Sequence, residues 1–300
     1  MRGALFMAIS QAAFTTNDTL VKLVSSTLGI GQIMFIRGLF ATVLMAILVW
    51  RLRQMPPPGA IRSPAVLARI VGELGGTTFF LIALSHLPLA NVSAVFQALP
   101  LVITMCAALF FGEYVGPRRW AAIVVGFIGV LIIVRPGLEG FSIFSLYVLA
   151  CVLCCAFRDL ATRRIPADVP TGFVSLLTAG SVALFGGLIV PLSGGWIPLT
   201  GEMLLQLAGA AVFVLVGYQA IIQSMRVGDI SFVAPFRYVS LIWAIAAGYL
   251  VFATLPDPMM LTGAGIVVAS GLYMLYRERV VGRARPAAEA IATPSTGDRA

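Results

Sequence analysis

The chain has 300 residues, of which 60% are hydrophobic and 11% are charged, and its formal net charge is +8. Soluble domains average about 25% charged residues, so this composition excludes an ordinary soluble protein. Nucleic-acid binding is disfavoured too, because the basic residues are scattered between apolar runs and build no continuous phosphate-binding face. We therefore predict an integral membrane protein with no nucleic-acid partner.

Ten apolar runs follow one another along the chain, and each is long enough, at about 1.5 Å per helical residue, to cross roughly 30 Å of hydrocarbon. The first run reaches polar residues without a small-residue cleavage site, so we predict a retained helix rather than a signal peptide. Residues 278–300 are rich in Ala, Pro and charge and are predicted to form a disordered cytoplasmic tail. The predicted spans cover residues 4–24, 30–50, 66–86, 90–112, 118–135, 142–162, 170–190, 203–224, 230–252 and 259–276.

The basic residues of the short loops predict the orientation of the bundle. With the N-terminus in the cytoplasm, most loop arginines lie on the cytoplasmic side, and the opposite side keeps little more than Lys22, Arg37 and Arg135. An even number of spans returns the chain to the side where it began. We expect a multi-pass protein in the lipid bilayer of the bacterial inner membrane, with both termini in the cytoplasm.

An internal repeat divides the chain into halves. The stretch ALSHLPLANVSAV at 83–95 is similar to IIQSMRVGDISFV at 221–233, and each joins two spans by a tight turn. Each half contains five spans, an odd number, so the second half enters the membrane with the opposite polarity. Inverted repeats are typical of many secondary transporters. We predict an all-α bundle of ten transmembrane helices built from two inverted five-helix repeats, residues 1–137 and 138–277.

A second similarity between the two halves aligns NDTLVKLV in the first span with RDLATRRI in the sixth. It superposes Asp18 on Asp159 and Lys22 on Arg163. In both segments the acid precedes the base by four residues, which places the two side chains on one helix face. The pattern predicts an acid–base pair toward each end of the bundle, arranged as two gates.

Arg237 is the single full charge in residues 230–252. An arginine at the bilayer centre costs roughly 2.5 to 3.5 kcal/mol on insertion scales, so it is kept where it has a partner, a wet cavity or a task. Steps of three or four residues place it in a stripe of small side chains that suits other helices or a cavity rather than lipid. We predict that Arg237 binds an anionic or carbonyl edge of a solute, or alternates between that edge and a carboxylate. The stripe consists of Ala234, Arg237, Ser240, Ala244 and Gly248.

Other polar side chains lie deep in the spans and are too numerous to face lipid. As a set they indicate a wet cavity, while an internal salt-bridge network that fixes helix register is the open alternative for each residue. Neighbouring aromatic side chains suit a solute with a flat ring and polar edges, such as an aromatic amino acid, a vitamin or a nucleoside-like metabolite. The predicted solute-binding residues are Asn17, Asp18, Arg37, Phe96, Gln97, Arg158, Asp159, Tyr218, Gln219, Gln223, Arg237 and Tyr238.

Three further titratable residues favour a structural interpretation. Glu73 follows Arg69 by four residues, which favours a local ion pair over a substrate contact. Glu113 stands at a helix end with two arginines shortly after it, where we expect an anchoring role. His86 precedes Leu-Pro at a helix end, and a capping role is favoured over a proton relay.

Prolines and glycines predict how the spans bend and pack. Pro100 and Pro235 fall inside the fourth and ninth spans, where proline removes a backbone hydrogen bond and kinks the helix. Whether this only shapes the bundle or also exposes carbonyl groups to a cavity is open. Glycines in the fifth and tenth spans predict close helix packing, and a homodimer through these two helices is possible in principle.

Several functional classes lack their signatures. No G-x-x-x-x-G-K-[ST] loop is present, so we expect no ATP hydrolysis by this chain. The cysteines lie in apolar runs without a histidine cluster, so no metal site or cofactor is predicted. His86 is the single histidine, and the sequence has no G-x-S-x-G motif to supply a serine nucleophile for it, which argues against an intramembrane enzyme. Secondary transport or exchange is predicted, with Asp18 and Asp159 as candidate proton carriers, and a channel or a receptor is the alternative.

Three stretches carry a resemblance to a known family. They are FIRGLFATVL in the second span, ALSHLPLANVSAVFQALPLVITMCAALFFGEYVGPRRWAAIVVGFIGVLIIVRPG through the fourth and fifth, and RVGDISFVAPFRYVSLIWAIAAGYL in the ninth. The chain resembles the ten-helix EamA-type form of the drug/metabolite transporter superfamily over about residues 4 to 277. One departure is that Glu113 has no acidic counterpart in the second half, where the same spacing reaches Val251.

The resemblance implies a carrier of small organic solutes. It implies a cavity among the first, third, fourth, sixth, eighth and ninth spans, with the fifth and tenth as scaffold. The APFRY and NDTLVKL stretches look more like the vitamin and S-adenosylmethionine carriers of this family than its amino-acid exporters. We therefore expect an importer of such a solute, with an amino-acid or metabolite exporter as the alternative.

Overall fold

The computed structural model describes residues 2–53, 59–138, 140–166, 168–227 and 233–291. All regular structure in these ranges is helical. Helices suit a bilayer because they satisfy their backbone N–H and C=O groups internally. The α-helices are α1 (Arg2–Val24), α2 (Ile30–Arg51), α3 (Pro64–His86), α4 (Leu89–Phe96), α5 (Leu99–Phe111), α6 (Pro117–Val134), α7 (Phe144–Thr162), α8 (Thr171–Ile189), α9 (Gly201–Val227), α10 (Val239–Phe252) and α11 (Pro258–Ile291).

The helices reproduce the predicted spans to within a few residues, except that α11 continues to Ile291. In the described chain, nine segments have the length and hydropathy to cross a membrane, with α4 and α5 forming one of them. The remaining predicted span, the first in the chain, is α1, which is long enough to cross a membrane but is more polar than the others. Its polar side chains are largely buried against other helices, and Ser10, Gln11, Asn17 and Thr19 are each at most 9% exposed. The all-α, multi-span fold is therefore confirmed.

Helix pairing follows a two-fold pattern. The most extensive contacts join α1 to α9, α2 to α8 and α3 to α7, and α6 packs on α11 and α4 on α10. The pattern is clear when each span is exchanged with the span five places later in the chain. The pair of the first and eighth spans, α1 and α9, then becomes the pair of the sixth and third, α7 and α3. The other three pairs map onto themselves. Two repeats of five spans would produce this pattern, and it supports the predicted division at residue 137.

Two spans are interrupted at their prolines. The fourth span breaks between Phe96 and Leu99, and Pro100 then stands in the first turn of α5. The ninth span begins as a 3₁₀ helix, Ala234–Tyr238, which contains Pro235 and leads into α10. Proline causes both breaks because it lacks an N–H and clashes with the carbonyl one turn earlier. The interrupted spans are packed against each other, since α4 contacts α10.

The glycines of the fifth and tenth spans pack within one chain. A Cβ atom added at Gly129 of α6 would lie 2.8 Å from the carbonyl oxygen of Gly263 of α11, and one added at Gly263 would lie 2.6 Å from that of Gly129. Only glycine permits this approach of two backbones. The stripe thus joins α6 to α11, and a homodimer through these helices stays a prediction.

The last helix continues beyond the last predicted span. Helix α11 runs past Arg277 to Ile291. Ala, Arg and Glu, which are good helix formers, make up much of this extension. The disorder expected for residues 278–300 stays a prediction, and residues 292–300 lie outside the described residues.

Candidate functional site

A cavity of about 110 Å³ lies where the two interrupted spans meet α1 and α11. We call it the Arg237 pocket. Its polar lining comes from α1, the α4–α5 break, the 3₁₀ helix and α10. Its apolar lining comes from the α4–α5 break, Ala234 and α11. The lining residues are Gln11, Phe96, Gln97, Leu99, Pro100, Ala234, Arg237, Tyr238, Ser240 and Leu275.

The stripe of small residues in the ninth span faces inward, as predicted. Ala234 and Ser240 line the pocket beside Arg237, and Ala244 and Gly248 are buried one and two turns further along α10. A hydrogen bond of 2.7 Å from the Gln97 amide to the Ser240 hydroxyl joins the fourth span to the ninth. Arg237 therefore faces the interior of the bundle.

Arg237 has no counterion among the residues that the structure describes. Within the described chain it forms no ion pair, whereas Arg158 and Arg163 do. Tyr238 beside it is buried, and its hydroxyl has no hydrogen-bond partner. That hydroxyl rests against α11 at Gly271, where an added Cβ would approach it to 1.7 Å.

A second group of predicted residues joins α1 to α2. The Asn17 amide donates to the Asp18 carboxylate at 2.8 Å, and Arg37 donates to the Asn17 side-chain oxygen at 3.3 Å. Asn17 therefore connects the acid to the base, which make no direct ion pair. We call Asn17, Asp18 and Arg37 the α1–α2 cluster.

A third group forms an ion-pair network between α3 and α7. Arg158 donates to Glu73 at 3.1 Å and to Asp159 at 2.8 Å, and Arg69 donates to the Thr162 hydroxyl at 2.7 Å. We call these five residues the α3–α7 network. The close approach has a structural cause, because a Cβ at Gly72 of α3 would lie 2.9 Å from that of Arg158.

Tyr218 of α9 faces the space between these two groups. It is 41% exposed, yet it is close enough to Glu73, Arg158 and Asp159 to interact with their charges. Its exposed surface therefore faces a space inside the bundle rather than lipid. The Phe14 ring of α1 meets it edge to face, with ring centroids 5.3 Å apart. Arg37 also interacts electrostatically with Asp18, Glu73 and Tyr218, so α1, α2, α3, α7 and α9 border one polar region.

The same-helix acid–base pairs predicted from the sequence are wrong. Lys22 donates instead to the carbonyl oxygens of Leu84 and Leu87 at the end of α3, both at 2.7 Å. Arg163 pairs with Glu113 at the end of α5, at 3.5 Å and with both side chains exposed. Each base is bound by a neighbouring helix because helix ends offer carbonyl and carboxylate acceptors there.

Two smaller predictions are also corrected. Glu73 pairs with Arg158 across the helix interface rather than with Arg69 on its own helix. Glu113 is bound by Arg163 of α7 rather than by the arginines that follow it. His86 keeps a structural role at the helix end, where its ring stacks on Phe144 with centroids 3.6 Å apart.

A polar pair joins the C-terminal end of α6 to the N-terminal end of α11. Arg135 at the end of α6 pairs with Asp257, whose carboxylate also accepts the Met260 N–H at the start of α11. Partial burial, the largest single influence, raises the pKa of Asp257, but these hydrogen bonds and the Arg135 charge together hold that pKa below its usual range. The pair caps both helices.

Two predicted residues are not brought into these groups. In the described structure, Gln219 and Gln223 of α9 form no hydrogen bond, and Gln223 is exposed. Sequence reasoning in turn left out Gln11, Ser240 and Glu73 as site residues. Gln11 had a usable signal as an amide in the middle of an apolar run, and Ser240 had one as the neighbour of Arg237 in the small-residue stripe.

The chain is similar to known membrane carriers. The model of the "EamA-like transporter family" matches residues 1–135. A riboflavin transporter of Vibrio cholerae is 28% identical, over 93% of this chain and 94% of its own. An S-adenosylmethionine uptake transporter of Rickettsia felis is 23% identical, over 93% and 94%. The pseudopaline exporter CntI of Pseudomonas aeruginosa is 25% identical, over 89% and 94%. A solved structure with 19% identity superposes with a TM-score of 0.65 over 93% of this chain and 98% of that one, which shows a shared fold.

Proposed function

We propose that the chain is a secondary carrier of a small organic solute in the drug/metabolite transporter superfamily, because its first 135 residues match the EamA-like transporter family and its relatives are named as transporters. Transport would proceed by alternating access in the bacterial inner membrane, with both termini in the cytoplasm. The carrier interpretation accounts for polar side chains held inside a bundle whose outer surface is apolar.

The observation that carries the proposal is the Arg237 pocket. It lies at the junction of the two proline-interrupted spans, inside the bundle, and it combines a free guanidinium with amides and an aromatic ring. Interrupted spans that meet near the membrane midplane are the usual place for a solute site in carriers with inverted repeats. An enzyme or receptor would not require such a site between the two halves.

The pocket chemistry supports a solute with a flat ring and polar edges. Phe96 and Tyr238 offer aromatic surface, and Gln11 and Gln97 offer amide groups. Riboflavin and S-adenosylmethionine, which the names of two relatives specify, both contain a fused ring system with polar edges. We propose uptake of a solute of this kind, with export of a metabolite as the second candidate because one relative is named as an exporter.

Proton coupling is a further part of the proposal. The two candidate acids now differ, because Asp159 pairs with Arg158 at 2.8 Å while Asp18 receives only an amide hydrogen bond from Asn17. Arg37 lies near Asp18 but forms no ion pair with it, so a proton on Asp18 costs less electrostatic stabilisation than one on Asp159. Asp18 is therefore the better candidate of the two.

A ligand screen followed by counterflow tests the proposal. Purified protein would be screened by thermal shift against vitamins, nucleosides, amino acids and their derivatives. The best stabiliser would then be tested in liposomes for accumulation driven by unlabelled internal solute. We expect saturable exchange, and a ligand that stabilises the protein but is never exchanged would contradict the carrier function.

A further inference from the structure

We infer that the Arg237 pocket takes the anionic group, a carboxylate or a phosphate, of the transported solute. The inference rests on the proposed carrier function and adds the chemical class of the solute to it. It starts from the guanidinium of Arg237, which the described chain leaves without a counterion inside the bundle.

The other basic residues of the membrane interior all have partners. Arg158 is held by Glu73 and Asp159, Arg37 by Asn17 with Asp18 nearby, and Lys22 by two backbone carbonyls. A buried cation without a partner is unfavourable in a membrane, so it is retained where it performs a task. Arg237 is therefore the residue among these whose partner must come from outside the described chain.

The local backbone makes the charge less favourable still. Arg237 lies in the 3₁₀ helix Ala234–Tyr238, which leads directly into the first turn of α10. The N-terminal end of a helix carries a partial positive charge from its free N–H groups, and it favours anions over cations. The first amide of α10, that of Val239, already donates to the carbonyl groups of the 3₁₀ helix, so the group that gains from a bound anion is the guanidinium of Arg237.

Tyr238 stands next to Arg237 and lines the pocket, where it is 7% exposed. Its hydroxyl is buried against Gly271 of α11 and does not open onto the pocket. Tyr238 therefore offers aromatic surface beside the charge, which suits a solute that joins an anionic group to a ring.

The remaining walls limit what else the solute carries. Phe96, Leu99, Pro100 and Leu275 are apolar and lie on the side of the pocket formed by the α4–α5 break and α11. The cavity of about 110 Å³ is smaller than the roughly 300 to 1,000 Å³ of sites that enclose a drug-sized ligand. It therefore fits the anionic end of a solute together with one ring.

Matched probes that differ only in charge test the inference. Binding to the purified protein in neutral detergent would be measured by calorimetry for nicotinate against nicotinamide and for riboflavin 5′-phosphate against riboflavin. We expect at least one anionic member to bind about tenfold or more tightly than its neutral counterpart, as a charge-assisted contact implies. The first pair tests a carboxylate and the second a phosphate.

Variants then assign the preference to the pocket. Arg237→Gln should remove the difference within each pair, and Arg237→Lys should keep part of it, because lysine retains charge but loses the planar fork. The exposed Arg118, outside the pocket, offers Arg118→Gln as a control that keeps the full preference.

The melting temperatures of the ligand-free variants show whether they are folded. Arg237→Gln removes an unpaired charge, so its melting temperature should equal or exceed that of the wild type. Equal binding of both members of each pair, no binding of either anion, or an unchanged preference in Arg237→Gln would each overturn the inference. Transport of a neutral solute would leave the carrier function standing, whereas an anion that binds but is not exchanged would contradict the carrier function alone.

Discussion

The α3–α7 network and the Arg237 pocket each place an arginine inside the bundle, but only one of the two arginines is neutralised. Arg158 lies between Glu73 and Asp159 at hydrogen-bond distance, while Arg237 faces a cavity without a carboxylate from the described chain. The counterions of Arg158 join α3 to α7, whereas we propose that Arg237, which has none in the described chain, binds the solute. The presence or absence of counterions thus distinguishes the two arginines, which the sequence pattern alone does not.

The largest effect is expected at the network. Arg158→Gln would leave the Glu73 carboxylate between α3 and α7 without its charged partner. Removing one member of a buried pair costs about 3 kcal/mol or somewhat more, so we expect a clear loss of thermal stability in detergent, measured by scanning fluorimetry. The double variant Glu73→Gln/Arg158→Gln should recover part of that loss. An unchanged melting temperature in Arg158→Gln would contradict the structural role of the network.

The pocket should respond in the opposite way. Arg237→Gln should lower the rate of solute counterflow by about tenfold or more, since it removes a charge-assisted contact. Arg237→Lys should lower the rate less, because lysine keeps the charge but loses the planar fork. Their melting temperatures should not fall below that of the wild type. Vesicle assays and fluorimetry on the same preparations measure both quantities. A variant with wild-type transport and reduced stability would assign Arg237 to the structural class.

The two aspartates should differ in pH dependence. We expect Asp18→Asn to flatten the transport rate between roughly pH 5.5 and 8, because the proton-carrying group is lost. Asp159→Asn should change stability more than the shape of this profile, since Asp159 is bound to Arg158. The measurement is initial uptake into vesicles over the pH series. A profile that is already flat in the wild type would remove proton coupling at these residues.

The smallest effect is expected at the polar pair between α6 and α11. The pKa of Asp257 is held below its usual range, so its contribution to stability is present above the unfolded-state pKa of about 3.9 and is lost as the pH falls through the lower folded-state pKa. Asp257 is 48% exposed, and solvent screening limits the contribution to less than about 1 kcal/mol. The melting temperature of Asp257→Asn should depend less on pH below about pH 4 than that of the wild type. Equal acid sensitivity of the two proteins would contradict this assignment.

Much of the architecture follows from local patterns. Apolar run length predicts the spans, Pro100 and Pro235 predict the interruptions, and the small-residue stripe predicts that Arg237 faces inward. Each of these depends on properties of one segment, namely length, backbone chemistry and side-chain periodicity. The sequence therefore predicts where polar groups enter the bundle interior.

The partners of these polar groups do not follow from local patterns. The four-residue spacing predicts that Asp18 meets Lys22 and that Asp159 meets Arg163, a rule that describes isolated helices in water. In the bundle Lys22 reaches the end of α3, and Arg163 reaches Glu113. Acceptors on neighbouring helices compete with same-helix partners, and which of them comes within reach depends on tertiary packing.

The most direct test of the account is counterflow in liposomes with the wild type, Arg237→Gln and Arg118→Gln side by side, using the solute that stabilises the wild type most. The account predicts saturable exchange by the wild type and by Arg118→Gln, and its loss in a folded Arg237→Gln protein. Saturable exchange of equal rate in all three proteins would contradict the claim that Arg237 contacts the transported solute.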